Sequence, residues 1–319
     1  MPTRRSFLQS ITAAASAAAS AAATATVTLS GCSTTPATTS DILDTHTHFY
    51  DPTRPQGVPW PPKDDPILYR PVLPAEWKAL AAPLGVTHTL VVEASPWVAD
   101  NAWILDLADR DPSLSGLVGH LKPGQPGFAD DLARFSAHPR FKGIRSGGWD
   151  VRLAPERPDY LHDLERLAER SLALDVLVGP DQLPAVAQLA RRIPHLRIVI
   201  DHCANVPIDR KEPPSAWHKG IDEIAAHSNV FMKVSGLVEG TGRTDGTAPA
   251  DTEFYRPTLD VIWHAFGPKR LIYGSNWPVS ARFASYATAF GIVRDYFATR
   301  GSAASRAYFR DNARTAYRV

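Results

Sequence analysis

The segments Thr89-Leu90-Val91-Val92 and Arg197-Ile198-Val199-Ile200 decide the fold, because each is apolar without interruption after its first residue. Strands with one face in water alternate apolar and polar residues, whereas strands covered on both faces are continuously apolar. Both segments therefore predict inner strands of a parallel sheet that is covered on both sides.

Similar apolar runs recur along the chain with helix-like segments between them. The runs are residues 42–49, 86–95, 114–121, 141–148, 173–179, 197–203, 230–236 and 270–278. Intervening segments with apolar residues three and four apart predict helices, including residues 101–110, 160–172, 184–192 and 257–266. Eight strand-helix repeats predict an α/β fold of the closed (β/α)8 TIM-barrel type. A doubly wound open sheet is the alternative, but no Gly-x-Gly-x-x-Gly follows the first run.

Size and composition agree with a single barrel domain. The chain has 319 residues, and such a barrel typically needs roughly 250. Hydrophobic residues make up 44% of the chain and charged residues 21%, as in ordinary globular proteins. The formal net charge of +1 lacks the basic excess of nucleic-acid-binding proteins, so we expect no nucleic-acid partner.

The N-terminus resembles a targeting segment. Residues 3–8, Thr-Arg-Arg-Ser-Phe-Leu, resemble the twin-arginine export motif, and an uncharged, alanine-rich stretch follows. Residues 29–32, Leu-Ser-Gly-Cys, resemble a lipobox, in which Cys32 would be acylated and become a membrane anchor. Cleavage by an ordinary signal peptidase among the Ala-x-Ala triplets is the alternative.

These features divide the chain into three parts. We expect a signal segment over residues 1–32, a flexible Ser/Thr/Pro-rich tether over 33–40, and the barrel over 41–319. The protein would then be exported, either periplasmic or held at a membrane by lipid on Cys32. The remaining cysteine, Cys203, would have no partner for an intramolecular disulfide.

Candidate catalytic residues follow the predicted strands. The first run contains His46 and His48, which point to the same side because alternate residues of a strand share a face. Two imidazoles at the carboxyl end of a barrel strand can bind one metal ion or one substrate oxygen. Chance or structural use of such a triplet is the alternative. His202 ends the sixth run, and Asn276 lies in the eighth.

Several stretches together resemble the amidohydrolase-related family of barrel hydrolases, in particular the branch of sugar-lactone and 2-pyrone-4,6-dicarboxylate lactonases. They are residues 43–49, 92–95, 141–145, 199–202, 233–236, 270–278 and 312–314. The resemblance runs from residue 41 to the end of the chain and implies a TIM-barrel hydrolase acting on a small molecule.

The resemblance also implies roles for individual residues. His46, His48 and His202 would surround the scissile carbonyl and would be the ligands if a divalent cation, Zn²⁺ or Mn²⁺, is bound. Catalysis without a metal is the alternative. The family's strand-eight aspartate, which takes the proton from the attacking water, is here Asn276, and an amide cannot act as that base.

Two residues are candidates for the missing base. Glu93 ends the second predicted strand, and a carboxylate in a dry pocket can have its pKa raised toward neutrality. The alternative is that Glu93 orients a histidine or pairs with Arg145. His202 is the second candidate, because the ordinary pKa of histidine is near 6.5.

Further residues are candidates for binding the substrate. Arg145 and Lys233 end the fourth and seventh predicted strands and would hold an anion, or alternatively form ion pairs with Glu93 or Asp175. His120 and Trp277 follow strands three and eight and would line the pocket. Residues 51–80, which include Trp60, are predicted to form a lid over the barrel mouth.

Three functions compete at this level. The first is hydrolysis of a lactone of a sugar acid or a pyrone carboxylate. The second is a metal-dependent decarboxylation of the kind found on the same barrel. The third is ligand binding without catalysis, which the asparagine at position 276 leaves open.

Overall fold

The computed structural model describes residues 41–319, which place one parallel sheet at the centre of the fold. Its strands are β1 (Ile42–Thr47), β2 (Val86–Val92), β3 (Leu114–Gly119), β4 (Phe141–Gly147), β5 (Ala173–Leu177), β6 (Arg197–Ile200), β7 (Val230–Val234) and β8 (Leu271–Tyr273). Each strand pairs in parallel with the next one along the chain. Every apolar run that predicted a strand contains one.

The last strand closes onto the first. Thr47, the last residue of β1, forms a parallel bridge with Trp277, which lies just beyond the end of β8. The backbone N–H groups of His48 and Asn276 donate to the carbonyls of Trp277 and His46, each at 2.9 Å. Sequential order and closure confirm the barrel, since a doubly wound sheet reverses its strand order.

Helices pack against the sheet. They are α1 (Pro74–Ala81), α2 (Asp100–Arg110), α3 (Phe128–Ser136), α4 (Gly148–Leu153), α5 (Pro158–Glu169), α6 (Leu183–Arg192), α7 (Ser215–Ala225), α8 (Thr252–Phe266), α9 (Tyr286–Ala298), α10 (Ser302–Arg306) and α11 (Asn312–Tyr317). The predicted start of α8 at Pro257 is wrong. Asp251 caps the helix by accepting from the backbone N–H of Glu253 at 3.0 Å, so Pro257 lies inside it.

The apolar core has two layers. A large outer layer fills the space between sheet and helices and includes fully buried residues such as Trp217. A smaller inner layer joins strand residues such as Phe231 and Ile272 to Ala313 and Tyr317 of α11. Asn312 of α11 donates to the carbonyls of Pro268 and Leu271 at the start of β8, and Arg197, the first residue of β6, donates to the carbonyl of Ala316. The helix α11 therefore closes the amino end of the barrel and leaves the carboxyl end for a site.

The signal segment and tether predicted for residues 1–40 lie outside the described residues. Between residues 41 and 319, no helix combines the length and apolar character needed to pass through a membrane. Asp41, at the start of this range, forms an ion pair with Arg310 at 2.8 Å and so connects the beginning of the barrel to its C-terminal helices.

Candidate active site

Three histidines meet at the carboxyl end of the barrel. His46 lies in β1 and His48 follows directly after its last residue. The ring centroids of these two histidines are 4.9 Å apart. His202 follows β6, and its ring centroid lies 4.4 Å from that of His46. All three side chains are buried. The structure therefore brings together the histidines that the sequence identified.

A left-handed turn positions His202. Residues 202–205 all have φ between +48° and +56°, a conformation that costs about 1 kcal/mol or more for each residue with a side chain. Trp217 holds the turn by donating from Nε1 to the carbonyl of Cys203 at 3.1 Å. A Cβ atom at Gly236 would lie 2.7 Å from the Cβ of His202, so the turn requires glycine there.

Burial keeps these histidines neutral. It lowers the pKa of His48 to about 3, that of His202 to about 4, and that of His46 well below its ordinary value. His48 Nδ1 donates to the carbonyl of Val92 at 2.9 Å, which leaves a lone pair on Nε2. The Nδ1 atom of His202 lies 2.8 Å from Ser235 Oγ. Neutral imidazoles of this kind can accept a proton or bind a metal.

Below the histidines lies a floor cluster made of Lys233, Asp175 and Asp201, all fully buried. Lys233 Nζ is 2.6 Å from Asp175 Oδ2 and 3.1 Å from Asp201 Oδ1. Burial opposes the charge on Lys233, but the two carboxylates outweigh it and raise the pKa of the ammonium. Tyr317 of α11 donates to Asp175 at 2.9 Å.

The prediction that Lys233 binds substrate is therefore wrong, because its ammonium is enclosed beneath the histidines. It forms the ion pair with Asp175 that the sequence allowed as the alternative. On the side of the histidines, Lys233 Nζ contacts His46 Nδ1 at 3.3 Å. Lys233 acts on the site by neutralising charge and by contacting His46.

The two ring nitrogens of His46 have different surroundings. Its Nδ1 lies between Lys233 Nζ at 3.3 Å and Asp201 Oδ1 at 3.4 Å. Within residues 41–319 its Nε2 has no hydrogen-bond partner. If Nδ1 accepts from Lys233, Nε2 carries the proton and can donate to a substrate oxygen. If Nδ1 donates to Asp201, Nε2 has a lone pair and can bind a metal.

The side chains of His46, Asp201 and His202 could hold a metal ion. One nitrogen or oxygen from each lies within 4.8 Å of the others. Two imidazoles and a carboxylate suit Zn²⁺, and Asp201 Oδ2 also lacks a hydrogen-bond partner in the described part of the chain. His48 lies outside this group, because its ring nitrogens face Val92 and Asn276. This group contains Asp201 where the sequence predicted His48, and the predicted ligand set of His46, His48 and His202 stays a prediction.

Asn276 connects His48 to a carboxyl group that the sequence analysis missed. Its Oδ1 lies 3.2 Å from His48 Nε2, and its Nδ2 donates to Glu239 Oε1 at 2.8 Å. Burial of the carboxyl raises the pKa of Glu239 to about 7. Glu239 lies in the loop after β7, and only its closeness to the end of that strand could have indicated it.

A cavity of about 370 Å³ opens at the carboxyl ends of β2, β3, β4 and β5. Its lining residue Arg145 lies close enough to His48 and His202 to lower the pKa of both. Glu93 and Arg145 line it, and Arg145 donates from Nε to Glu93 Oε1 at 2.8 Å. This is the pairing that the sequence allowed as the alternative to a base. His120 lines the same cavity as predicted, together with Ser146 and Asp150.

Trp277 lies in the core, whereas Trp60 lies beside His48. Trp277 was predicted to line the pocket, which is wrong, since it is 1% exposed and packs against Phe49 in the core. Trp60, in the segment between β1 and α1, has its ring 5.9 Å from that of His48. That segment is fastened by the pairing of Tyr50 with Val72, so the predicted lid does contact the site.

Comparison with known proteins places these features in context. A family model described as Amidohydrolase matches residues 43–319. An L-fucono-1,5-lactonase of Burkholderia ambifaria is 37% identical over 246 residues, 75% of this chain and 80% of that protein. An L-fucono-1,5-lactonase of Burkholderia multivorans is 30% identical over 271 residues, 83% of this chain and 91% of that protein. The crystal structure of a Burkholderia multivorans amidohydrolase with bound zinc aligns with a TM-score of 0.79 and 28% identity, over 88% of this chain and 99% of that one.

Proposed function

Because this chain belongs to the amidohydrolase family, we propose that it is a hydrolase that opens a lactone at the mouth of its barrel. The observation that carries this proposal is the convergence of His46, His48 and His202 as neutral, buried imidazoles at the carboxyl ends of the strands. Similarity to two L-fucono-1,5-lactonases over most of the chain supports an ester substrate.

The cavity favours a lactone of a sugar acid over a pyrone carboxylate. Its lining includes polar groups that suit hydroxyls, among them His120, Ser146 and Asp150. A pyrone dicarboxylate would need two unpaired cations, but Arg145 is paired with Glu93 and Arg157 with Asp150. Among the lining cations in the described residues, this leaves Lys122 without an ion pair. The named relatives, which act on a sugar-acid lactone, support the same choice.

The reaction needs a donor for the carbonyl oxygen and an acceptor for the proton of water. His46, with its proton on Nε2, donates to the carbonyl oxygen and stabilises the negative charge that develops there. Water oxygen bonds to the carbonyl carbon while its proton passes to Nε2 of His48 or His202. The ring C–O bond then breaks, and the proton returns to the departing oxygen, giving a hydroxy acid.

For a bound cation, Zn²⁺ or Mn²⁺, we propose His46, Asp201 and His202 as the ligands. The cation would polarise the carbonyl and acidify a water molecule. The ammonium of Lys233, 3.1 Å from Asp201, competes for the same carboxylate, so we expect modest affinity. Metal analysis of the purified protein, before and after chelation, measures this directly, and unchanged turnover after complete removal would establish metal-independent catalysis.

The proposed activity is tested by acid release from a panel of sugar and pyrone lactones, using the chain from residue 33 onward. His46→Ala is expected to lower kcat/KM by roughly 10²–10⁴. His195→Ala, an exposed histidine away from the site, is the matched control and should leave it unchanged. Tight lactone binding without turnover in the unmutated protein would favour the binding protein instead. Release of CO₂ from an aromatic acid would favour the decarboxylase.

We also propose, from the sequence, that residues 1–32 direct export by the twin-arginine route and that Cys32 carries a lipid, with 33–40 as a tether. The protein would then be periplasmic or anchored at a membrane. Cys32→Ser should move it from the membrane fraction to the soluble periplasmic fraction, and Arg4→Lys with Arg5→Lys should retain it inside the cell. Unchanged membrane association of Cys32→Ser would contradict the anchor.

A further inference from the structure

A carboxyl group lies directly behind the asparagine that stands where the family has an aspartate. Asn276 has His48 Nε2 on one side, 3.2 Å from its Oδ1, and Glu239 Oε1 on the other, 2.8 Å from its Nδ2. We propose that Glu239 is a positioning residue that holds the amide oxygen of Asn276 toward His48 Nε2. The oxygen and His48 Nε2 then form a pair of acceptors for the attacking water. This inference rests on the proposed lactone hydrolysis.

Hydrogen-bond chemistry explains why Asn276 needs such a partner. His48 places its proton on Nδ1, where the carbonyl of Val92 accepts it, so Nε2 is an acceptor. An amide left to itself would turn its N–H toward that nitrogen and occupy it. When the N–H is bound by a carboxylate on the opposite side, the amide oxygen faces His48 instead. Two acceptors side by side cannot bond to each other, but a water molecule can donate to both.

The protonation of Glu239 therefore sets the direction of the amide. An ionised Glu239 accepts the N–H of Asn276, whereas a protonated Glu239 can donate to the amide oxygen and favours the reversed orientation. Asn276 thus supplies an uncharged acceptor where the family has a carboxylate. The negative charge lies instead on Glu239, behind Asn276.

The surroundings of Glu239 allow its proton to move near neutral pH. Its Oε2 is enclosed and has no hydrogen-bond partner in the range 41–319, and no ion pair in that range involves Glu239. The titratable groups that interact with it are the Cys203 thiol and the Tyr255 hydroxyl, and burial raises the pKa of both, that of Cys203 to about 12. Both stay protonated while Glu239, whose pKa burial raises to about 7, changes charge.

The test compares Glu239→Gln, Asn276→Asp and the double variant in the full-length protein, with L-fucono-1,5-lactone as the probe. For the unmutated protein, kcat/KM should fall about tenfold for each pH unit below about 7, and Glu239→Gln should lose this dependence. The Asp175 carboxyl, whose pKa burial raises to about 6, is unchanged in every variant, so the difference reports on Glu239. Glu223→Gln, on the exposed face of α7, is the matched control and should retain the original profile.

Asn276→Asp alone should lower kcat/KM by about tenfold or more, because it places two carboxyl groups within hydrogen-bond distance and forces them to share a proton. Adding Glu239→Gln should restore the activity, since the single carboxyl then lies at position 276 with an amide behind it. Thermal melts of each variant separate misfolding from this effect. An unchanged pH profile in Glu239→Gln, or a double variant no better than Asn276→Asp, would overturn the proposal.

Infrared spectroscopy gives a readout that does not need turnover. A band from a protonated carboxyl should disappear as the pH rises through about 7, be missing in Glu239→Gln, and shift its midpoint in Asn276→Ala. If the unmutated protein shows this titration but does not hydrolyse a lactone, the proposed function is wrong. The coupling of Glu239 to Asn276 then still stands. A band unaffected by Glu239→Gln would overturn the coupling, whatever the substrate.

Discussion

Two enclosed carboxyl groups of this barrel have opposite electrical surroundings. Asp201 lies in the floor cluster, 3.1 Å from the ammonium of Lys233, and this charge outweighs the effect of burial and lowers the pKa of Asp201 well below its usual range. Glu239 forms no ion pair with any of residues 41–319 and accepts from the amide of Asn276, and burial raises its pKa to about 7. The difference shows that a cation beside an enclosed carboxyl can outweigh burial, which by itself raises the pKa. Lys233 does so for Asp201 but not for Asp175, which shares this cation and whose pKa is raised to about 6.

The floor cluster and the pair of Glu239 with Asn276 therefore affect the site in different ways. Asp201 and Lys233 of the floor cluster keep their charges near neutral pH, whereas burial raises the pKa of Asp175 to about 6. The pair of Asp201 with Lys233 therefore supports His46 with a steady electrostatic field. The carboxyl of Glu239 can gain or lose a proton in the same range, and its neighbour Asn276 contacts His48. A fixed region and an adjustable region therefore act on adjacent histidines of one site.

The largest effect is expected from removing the floor cation. Lys233→Met leaves Asp175 and Asp201 buried without their ion pair, which should lower the free energy of unfolding by about 3–5 kcal/mol. Urea unfolding at pH 7 measures it, with the exposed Lys219→Met as control, for which we expect no more than about 0.5 kcal/mol. A small loss in Lys233→Met would mean that the two carboxyl groups neutralise themselves by taking up protons.

A smaller and pH-dependent effect is expected at Glu239. Its pKa is raised in the folded state, so its contribution to stability is fully present below the unfolded pKa near 4.5 and is lost as the pH rises through about 7. Glu239→Gln should therefore gain stability relative to the unmutated protein by roughly 1–3 kcal/mol between pH 4.5 and pH 8. Urea unfolding at several pH values measures the gap, and a gap that does not vary with pH would contradict the titration.

The smallest effect is expected at the Glu93–Arg145 pair, where the cation is present but both side chains are 15% exposed. Arg145→Gln should cost only about 1 kcal/mol of stability, since water can reach the remaining carboxylate. Because Arg145 lines the cavity, KM should rise severalfold while kcat changes less. Steady-state kinetics separate the two constants, and a fall in kcat alone would instead place Arg145 at the reacting carbonyl.

Much of the fold was readable from local sequence. Each apolar run gave a strand, because strands covered on both sides need uninterrupted apolar residues. The alternation in Thr45-His46-Thr47-His48 also fixed which side chains enter the barrel. The start of α8 was misplaced because the capping carboxylate of Asp251 outweighed the preference of Pro257 for a first turn.

The candidate site was only partly readable. The convergence of His46 with His202 followed from the rule that barrel strands present their carboxyl ends together. The burial of Lys233 and Trp277 did not follow, because a position at a strand end does not say whether the side chain points to the cavity or below it. Glu239 had no motif and became visible only through its contact with Asn276.

The sequence by itself determined the barrel, the histidines and the replacement of an aspartate by Asn276, since periodicity and residue identity are local properties. Only the tertiary structure decided which charges meet. The contact of Lys233 with Asp201 and that of Glu239 with Asn276 join strands and loops that are far apart in the chain. Because the pKa of an enclosed group depends on neighbours within a few ångströms, the chemistry of this site depends on packing that no single segment specifies.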